Sequence, residues 1–278
     1  MDTDPIAPSL EAAPSQAATG NYDVVHAPRL MAGDRGASWV VEGWDLFQQA
    51  KVSWLLVALT SVIWLLLLEH FSLLKILDNV FAFAISAGLM LACHANYQRR
   101  PFNPAILLTG FSRLHLGRLL GANLVLIGFS LLLSGLVLGD LLWLIAGNEQ
   151  LQMLVARMAA QADITNPDFL ATLAELDQAV SVIGLLLRLT LILLLLLPVF
   201  AAAWFAPALI VLGNCDVKTA LFYSLQATMK NVFSFLIYGV LLLILALLAL
   251  LPYHIGYLLL IPVYQLSVYL SYRDIFVN

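Results

Sequence analysis

Charge is what this sequence has least of. Only 11% of its 278 residues are Asp, Glu, Lys or Arg, against about 25% in an average protein, too few to wet the surface of a soluble domain. Cysteine is nearly absent. Cys93 and Cys215 stand alone, which excludes a disulfide framework or a cysteine zinc site. A net charge of −4 gives no basic surface for nucleic acid. The histidines His26, His70, His94, His115 and His254 are scattered, and no zincin pattern, phosphate-cradling glycine loop or G-x-S-x-G is present. Catalytic residues, metal ligands and a cofactor site are therefore not expected.

What is present is apolar. Hydrophobic residues make up 62% of the chain, in runs long enough for a multispan helical membrane protein. The pattern predicts an all-α fold with six spans, at Val52–Leu68, Ile76–Ala95, Leu119–Leu142, Val182–Leu212, Val232–Leu251 and Ile255–Leu270. Residues 1–36, rich in Ala, Pro, Ser and Gly, lack an apolar block and read as a disordered tail. They also lack the basic start and apolar core of a signal peptide. Residues 37–278 form the membrane domain.

Loop charge orients the bundle. Of 13 bases, ten (Arg29, Arg35, Lys51, Arg99, Arg100, Arg113, Arg118, Lys218, Lys230 and Arg273) fall on one side, and Lys75 and Arg157 on the other. The excess places both termini in the cytoplasm, and the bilayer is the expected partner. Arg188 belongs to neither set. It lies near the start of the 31-residue stretch Val182–Leu212, which is too long for one span and too short for two. As a helix it covers about 46 Å, with kinks expected at Pro198 and Pro207. Arg188 then reads as an outer-end side chain snorkelling to the surface, or alternatively as a functional charge.

Three segments on the basic side look alike: "SWVVEGWDLFQQAK", "NPAILLTGFSRLHLGR" and "DVKTALFYSLQATMK". Each opens on a capping residue (Ser38, Asn103, Asp216) and ends on a base. Val40, Trp44 and Phe47, then Leu107, Phe111 and Leu114, then Val217, Leu221 and Leu225 recur at helical spacing. Such helices lie in the headgroup plane. The chain thus reads as three hairpins, each preceded by an interfacial amphipathic helix. On the outer side, Ala146–Ser181 predicts two short helices, the second capped by Asn166 with Pro167 at its first position.

Gly117, Gly121, Gly128, Gly135 and Gly139 share one stripe of the third span. Small residues let helices approach closely. Packing inside the bundle against Ala84, Gly88 and Ala92 is one use, and a homodimer or a membrane-protein partner is the other. The remaining candidate polar residues are Asn123 and Gln265 within spans, and the adjacent Arg273 and Asp274 in the ending "YLSYRDIFVN". A charged pair followed by Ile275 and Phe276 predicts a tail folded back under the basic face, with Asp274 paired to Lys51, Arg118 or Lys230.

Together "RGASWVVEGWDLF", "WFAPALIVLGN" with "ALFYSLQATMKN", and "SYRDIF" resemble an uncharacterised family of Gram-negative bacterial inner-membrane proteins. The likeness covers about residues 35–276. A more distant likeness, in hairpin layout only, is to the membrane region of some glycerophosphodiester phosphodiesterases. The resemblance implies an inner-membrane protein of about six helices and brings no activity with it. Three functional classes stay open: a non-enzymatic scaffold, assembly factor or regulator; a transporter or lipid-handling protein; and an intramembrane enzyme. The missing site chemistry favours the first.

Overall fold

The computed structural model describes residues 22–160, 167–179, 181–251 and 255–277. Helices α1 (Arg35–Gln49), α2 (Lys51–His70) and α3 (Ser72–Tyr97) come first. A 3-10 helix, Pro104–Phe111, leads to α4 (Leu116–Ala146), and α5 (Glu149–Ala160) and α6 (Pro167–Ala179) follow. Then come α7 (Val182–Trp204), α8 (Ala206–Val211), α9 (Val217–Lys230), α10 (Val232–Leu250) and α11 (Tyr257–Phe276). No strand occurs among the described residues.

Five helical stretches are long and apolar enough to cross a membrane: Lys51–His70, Leu73–Tyr97, Leu116–Ala146, Ile183–Val211 and Val232–Leu250. The expected sixth, Ile255–Leu270, is not among them. Helix α11 matches α2 in length, but Gln265, Ser267, Ser271, Arg273 and Asp274 dilute its apolar character. It is instead the most enclosed long helix, with Leu266, Ser267, Tyr269, Tyr272, Ile275 and Phe276 fully buried. It packs against α1, α2, α3 and α10.

The long stretch from Val182 is one helix and a fragment of another. Helix α7 runs through Pro198 to Trp204, the chain breaks at Phe205, and α8 is buried along its whole length. The extra residues serve the core. At the break, the bond a regular helix would make from Phe205 N–H to the Ala201 carbonyl is replaced by a hydroxyl. Ser224 Oγ of α9 accepts from Phe205 N at 2.9 Å and donates to Ala201 O at 2.7 Å. Both backbone groups stay satisfied in an apolar setting, where orphaned groups are costly.

The three segments on the basic side pack in a regular way. The 3-10 helix lies on α3, α9 lies on α7 and α8, and α1 lies on α11 and α10. Each therefore rests on the helices that precede it, and the first rests on the last. Glycines make two of these contacts close. A Cβ at Gly36 would overlap the Ser234 carbonyl, and one at Gly88 or Gly110 would overlap the carbonyls of Leu107 and Ala84. Ala84 and Gly88 thus serve the 3-10 helix rather than α4. Gly110→Ala is expected to lower stability in detergent by about 1–3 kcal/mol, read as a fall in melting temperature, whereas Gly128→Ala is expected to cost nothing.

Several expectations change here. "NPAILLTGF" forms a 3-10 helix rather than an amphipathic α-helix, and Asn103 still caps it through Ala105 N at 2.9 Å. Asp216 caps α9 through Thr219 N at 3.2 Å. Ser38 lies inside α1, which already starts at Arg35. Trp39 rather than Trp44 is the buried anchor of α1. In α5, Leu151 and Leu154 form a small cluster with Ile145 and Met158. Asn166, residues 252–254 between the expected fifth and sixth spans, and residues 1–21 lie outside the described residues.

Residues 22–34 replace the latter part of the expected disordered tail with an extended strap, and Arg35 and Gly36 already belong to α1. Asp23 N donates to Leu212 O at 2.8 Å, His26 N to Phe276 O at 2.8 Å and Arg29 N to Ile275 O at 3.1 Å. Asn231 Nδ2 donates to Arg29 O, Lys230 Nζ to Pro28 O and Ser234 Oγ to Ala32 O. The strap needs no apolar block, because backbone groups and side chains from some 200 residues away satisfy its polar atoms.

Candidate functional site

The densest set of polar contacts surrounds the last turns of α11. Adjacent residues on a helix point about 100° apart, so Arg273 and Asp274 serve different neighbours. Asp274 turns to α1. Its carboxylate accepts from Arg35 Nε at 2.9 Å, from Arg35 Nη2 and from Trp39 Nε1 at 2.8 Å. Arg35 also donates to Glu42, about two turns along the same face of α1, at 2.8 Å. Burial would lower the Arg35 pKa, but hydrogen bonds to Glu42 and Asp274 outweigh it and raise the value above the ordinary one.

Arg273 turns to α3. Its guanidinium carbon sits 4.2 Å from the centre of the Tyr97 ring, within cation–π range, and the Tyr269 hydroxyl is close enough to influence its charge. His94 Nδ1 lies 2.9 Å from that hydroxyl and His94 Nε2 lies 2.6 Å from Gln98 Nε2. The amide can only donate there, so Nε2 accepts and Nδ1 carries the proton toward Tyr269. Asn96 Nδ2 donates to Leu46 O at 2.9 Å and ties α3 to α1.

The expected docking of Asp274 therefore holds with a different base and without a folded-back tail. Helix α11 continues through Phe276, which is buried against Phe205 at 5.4 Å. Lys230 is turned to the strap, and Arg118 donates to Asn214 O, Cys215 O and Asn214 Oδ1. Lys51 stands exposed at the start of α2. Arg35 was legible in the sequence only as a loop charge. Nothing in the residue order links it to a position 239 residues away.

The other candidates are dispersed. Arg188 does not snorkel alone: it grips Asp140 of α4 through two bonds, of 2.8 and 2.9 Å. The two charges sit six residues from the ends of antiparallel helices, which sets them at one height. Asn123 Nδ2 donates to the Val80 carbonyl at 3.0 Å and to that of Asn79, joining α4 to α3. Gln265 is half-buried on α11. The glycine stripe stands open: among the described residues, nothing beyond the local helix backbone lies within 4 Å of where a Cβ would be at Gly117, Gly121, Gly128, Gly135 or Gly139. The packed side of α4, with Leu119, Ala122 and Asn123, is opposite. Among the described residues, no internal packing runs through the stripe.

Cys93 is buried and Cys215 half-buried, unlinked. Burial, with the Asp216 carboxylate beside it, pushes the Cys215 thiol up to about 11. At neutral pH it is a protonated, sluggish thiol. Burial, with Arg118 nearby, lowers the pKa of His115. The hydrogen bond from Thr219 holds Asp216 below the ordinary carboxylate range. Among the described residues, no group of three His, Cys, Asp or Glu side chains could hold a metal ion.

Fold and contacts together define a class: an all-helical protein with several apolar helices compatible with a multispan membrane protein. No family model, no curated protein and no solved structure matches the chain.

Proposed function

We propose that this chain is a non-enzymatic scaffold, assembly factor or regulator of a bacterial inner membrane, with both termini in the cytoplasm. The observation that carries the reading is how its polar side chains are used. Arg35 and Asp274, Arg188 and Asp140, Asn123 and the α3 carbonyls, and Tyr238 and Ser267 at 2.8 Å each tie one helix to another. Functional polar groups of a transporter or enzyme converge on a cavity instead. A cavity of about 500 Å³ between α1, α10 and α11 is walled by Val41, Trp44, Leu245, Leu248, Leu259 and other apolar residues, and in a smaller one of about 150 Å³ between α4 and α7 the Asp140 and Arg188 side chains are already bonded to each other.

In this reading α11 is a sixth crossing. Its 20 residues span about 30 Å, and its polar side chains are shielded by four neighbouring helices. The chain then consists of three hairpins, each preceded by a basic-side segment that rests on the hairpin before it. Orientation follows from loop charge. It is supported by the strap, which brings Arg29 to the end of α11 and Tyr22 to His115, with Tyr22 Oη 3.4 Å from Nε2. The family likeness drawn from "SYRDIF" points the same way.

The open glycine face of α4 is the proposed docking surface for a second copy or another membrane helix. Gly128→Leu tests it. A Cβ at this position meets nothing among the described residues, so melting in detergent is expected to stay the same or rise slightly through helix propensity. Crosslinking in the membrane, by contrast, is expected to disappear. Unchanged crosslinked species in the variant would count against a scaffold acting through this face. Saturable solute uptake by vesicles holding the pure protein would favour the transporter or lipid-handling alternative.

A further inference from the structure

Trp44 does not serve the core. It is 42% exposed, and its ring rests on Phe47 with 5.4 Å between centres. It walls the cavity of about 500 Å³ between α1, α10 and α11, where every other lining side chain is aliphatic. The helices shape this cavity as a cleft. Helices α10 and α11 meet at two levels. At one, the Tyr238 and Ser267 hydroxyls are 2.8 Å apart. At the other, a Cβ on Gly256 would stand 2.6 Å from Ala249 Cα. Between these contacts the lining runs along α10 from Leu241 to Ala249, about 12 Å of helix. Helix α1 closes a third side, held by Gly43, where a Cβ would stand 3.0 Å from the Val263 carbonyl. Val41, Leu248 and Leu259 are exposed at the open side. The volume is that of a ligand pocket, and its walls suit an aliphatic ligand.

Charge at the rim says which one. Asp45 is exposed one turn along α1 from Val41, on the same face. Glu42 is held by Arg35, which Asp274 also engages. Lys51 lies beyond the break in the helix at Ala50. The rim therefore presents a carboxylate beside an indole ring. Both attract an ammonium group, and the carboxylate repels an anionic headgroup.

We propose that the cleft is a specific site for one acyl chain of a phospholipid with a primary-ammonium headgroup, the ammonium lying beside Asp45 and Trp44; the proposal rests on the membrane-crossing reading. Within a bilayer the chain gains no hydrophobic free energy on entering, since lipid tails are as apolar as leucine. It gains dispersion contacts with side chains on three sides rather than one. The headgroup adds selection, because a primary ammonium donates hydrogen bonds to a carboxylate and a choline headgroup cannot.

The test is tryptophan quenching in the full-length protein, reconstituted in phosphatidylcholine vesicles and titrated with chain-brominated phosphatidylethanolamine or phosphatidylglycerol. The Trp44 signal is the difference between wild type and Trp44→Phe. Trp143, 80% exposed on α4, gives the reference for ordinary lipid contact through Trp143→Phe. Brominated phosphatidylethanolamine is expected to half-quench Trp44 at a lipid fraction about threefold below that for Trp143, the size of one exposed charge contact. Brominated phosphatidylglycerol should quench the two alike. Asp45→Asn should remove the headgroup preference. Leu245→Phe, which fills the cleft, should bring Trp44 to the Trp143 value, and Leu243→Phe, exposed and outside the cleft, should change nothing. Half-quenching of Trp44 and Trp143 at the same phosphatidylethanolamine fraction in wild type would overturn the proposal. So would an equal preference for phosphatidylglycerol, or a preference that survives both Asp45→Asn and Leu245→Phe. Failure of either lipid to quench Trp143 as well as Trp44 would overturn the membrane-crossing reading with it.

Discussion

Replacing Asp274 by alanine is expected to lower stability in detergent by about 2–3 kcal/mol. The carboxylate accepts from Arg35 and from Trp39 Nε1. Its loss leaves a fully buried indole N–H without an acceptor, and a guanidinium with Glu42 as its remaining acid. The cost stays below that of a fully buried pair because the Arg35 side chain is 32% exposed. Asp274→Asn keeps an acceptor for Trp39 and should recover part of the loss. Arg35→Ala and Asp274→Ala should be strongly non-additive, since both break one contact. Chemical or thermal unfolding of the purified variants reads all three effects. Additive losses would show that the pair is not a unit.

Ser224→Ala is expected to cost about 1–3 kcal/mol, although it removes a single oxygen. That oxygen bridges Phe205 N and Ala201 O. Without it, two buried backbone groups lose their partner at the break between α7 and α8. Thr228 Oγ1, 3.4 Å from Ala201 O, is placed to recover only the carbonyl. Ser224→Thr keeps the hydroxyl and should fall between the two. The effect is specific to the break, so Ser130→Ala, whose hydroxyl bonds one turn back to Leu126 O, should leave stability nearly unchanged. Similar melting of the Ser224→Ala and wild-type proteins would mean that the inserted hydroxyl does not hold the break.

Hydropathy alone was enough to find the apolar helices, because span length and period are local properties of the chain. It was misleading only at the C-terminal end of Val182–Leu212, since α7 starts at Val182 as expected. A buried core helix such as α8 and the end of a span look the same in composition, and only Ser224, from another helix, marks the boundary. The same limit applies to α11, whose Gln, Ser and Arg residues are compatible with a crossing when other helices surround it and incompatible with one facing lipid. The site was legible as residues and illegible as pairs. Arg188 was placed near an outer end, yet its bond to Asp140 depends on α4 and α7 lying side by side. The strap was missed because Pro, Ala and Gly read as coil, and its partners are on Ile275, Phe276 and Asn231.

Gly117, Gly121, Gly128 and Gly135 show the reverse difficulty. Their spacing predicts that a backbone can come close, and says nothing of whose. Gly36, Gly88 and Gly110 hold no such stripe, yet they are where backbones meet. Close approach is decided by which faces the other contacts have already used. The tie between Asn123 and the α3 carbonyls turns the opposite side of α4 inward and leaves the glycines out.

In the proposed orientation the bundle crosses a membrane with its strap, 3-10 helix and α11 terminus on the cytoplasmic side. Single cysteines introduced by Ala160→Cys and Arg113→Cys, in a background lacking Cys93 and Cys215, test this directly. Both positions are exposed, one at the end of α5 and the other between the 3-10 helix and α4. Intact cells treated with a membrane-impermeant maleimide should label Ala160→Cys at once and Arg113→Cys only after lysis. Labelling of Arg113→Cys in intact cells, with Ala160→Cys protected until lysis, would contradict the orientation. Labelling of both in intact cells would contradict the crossing itself.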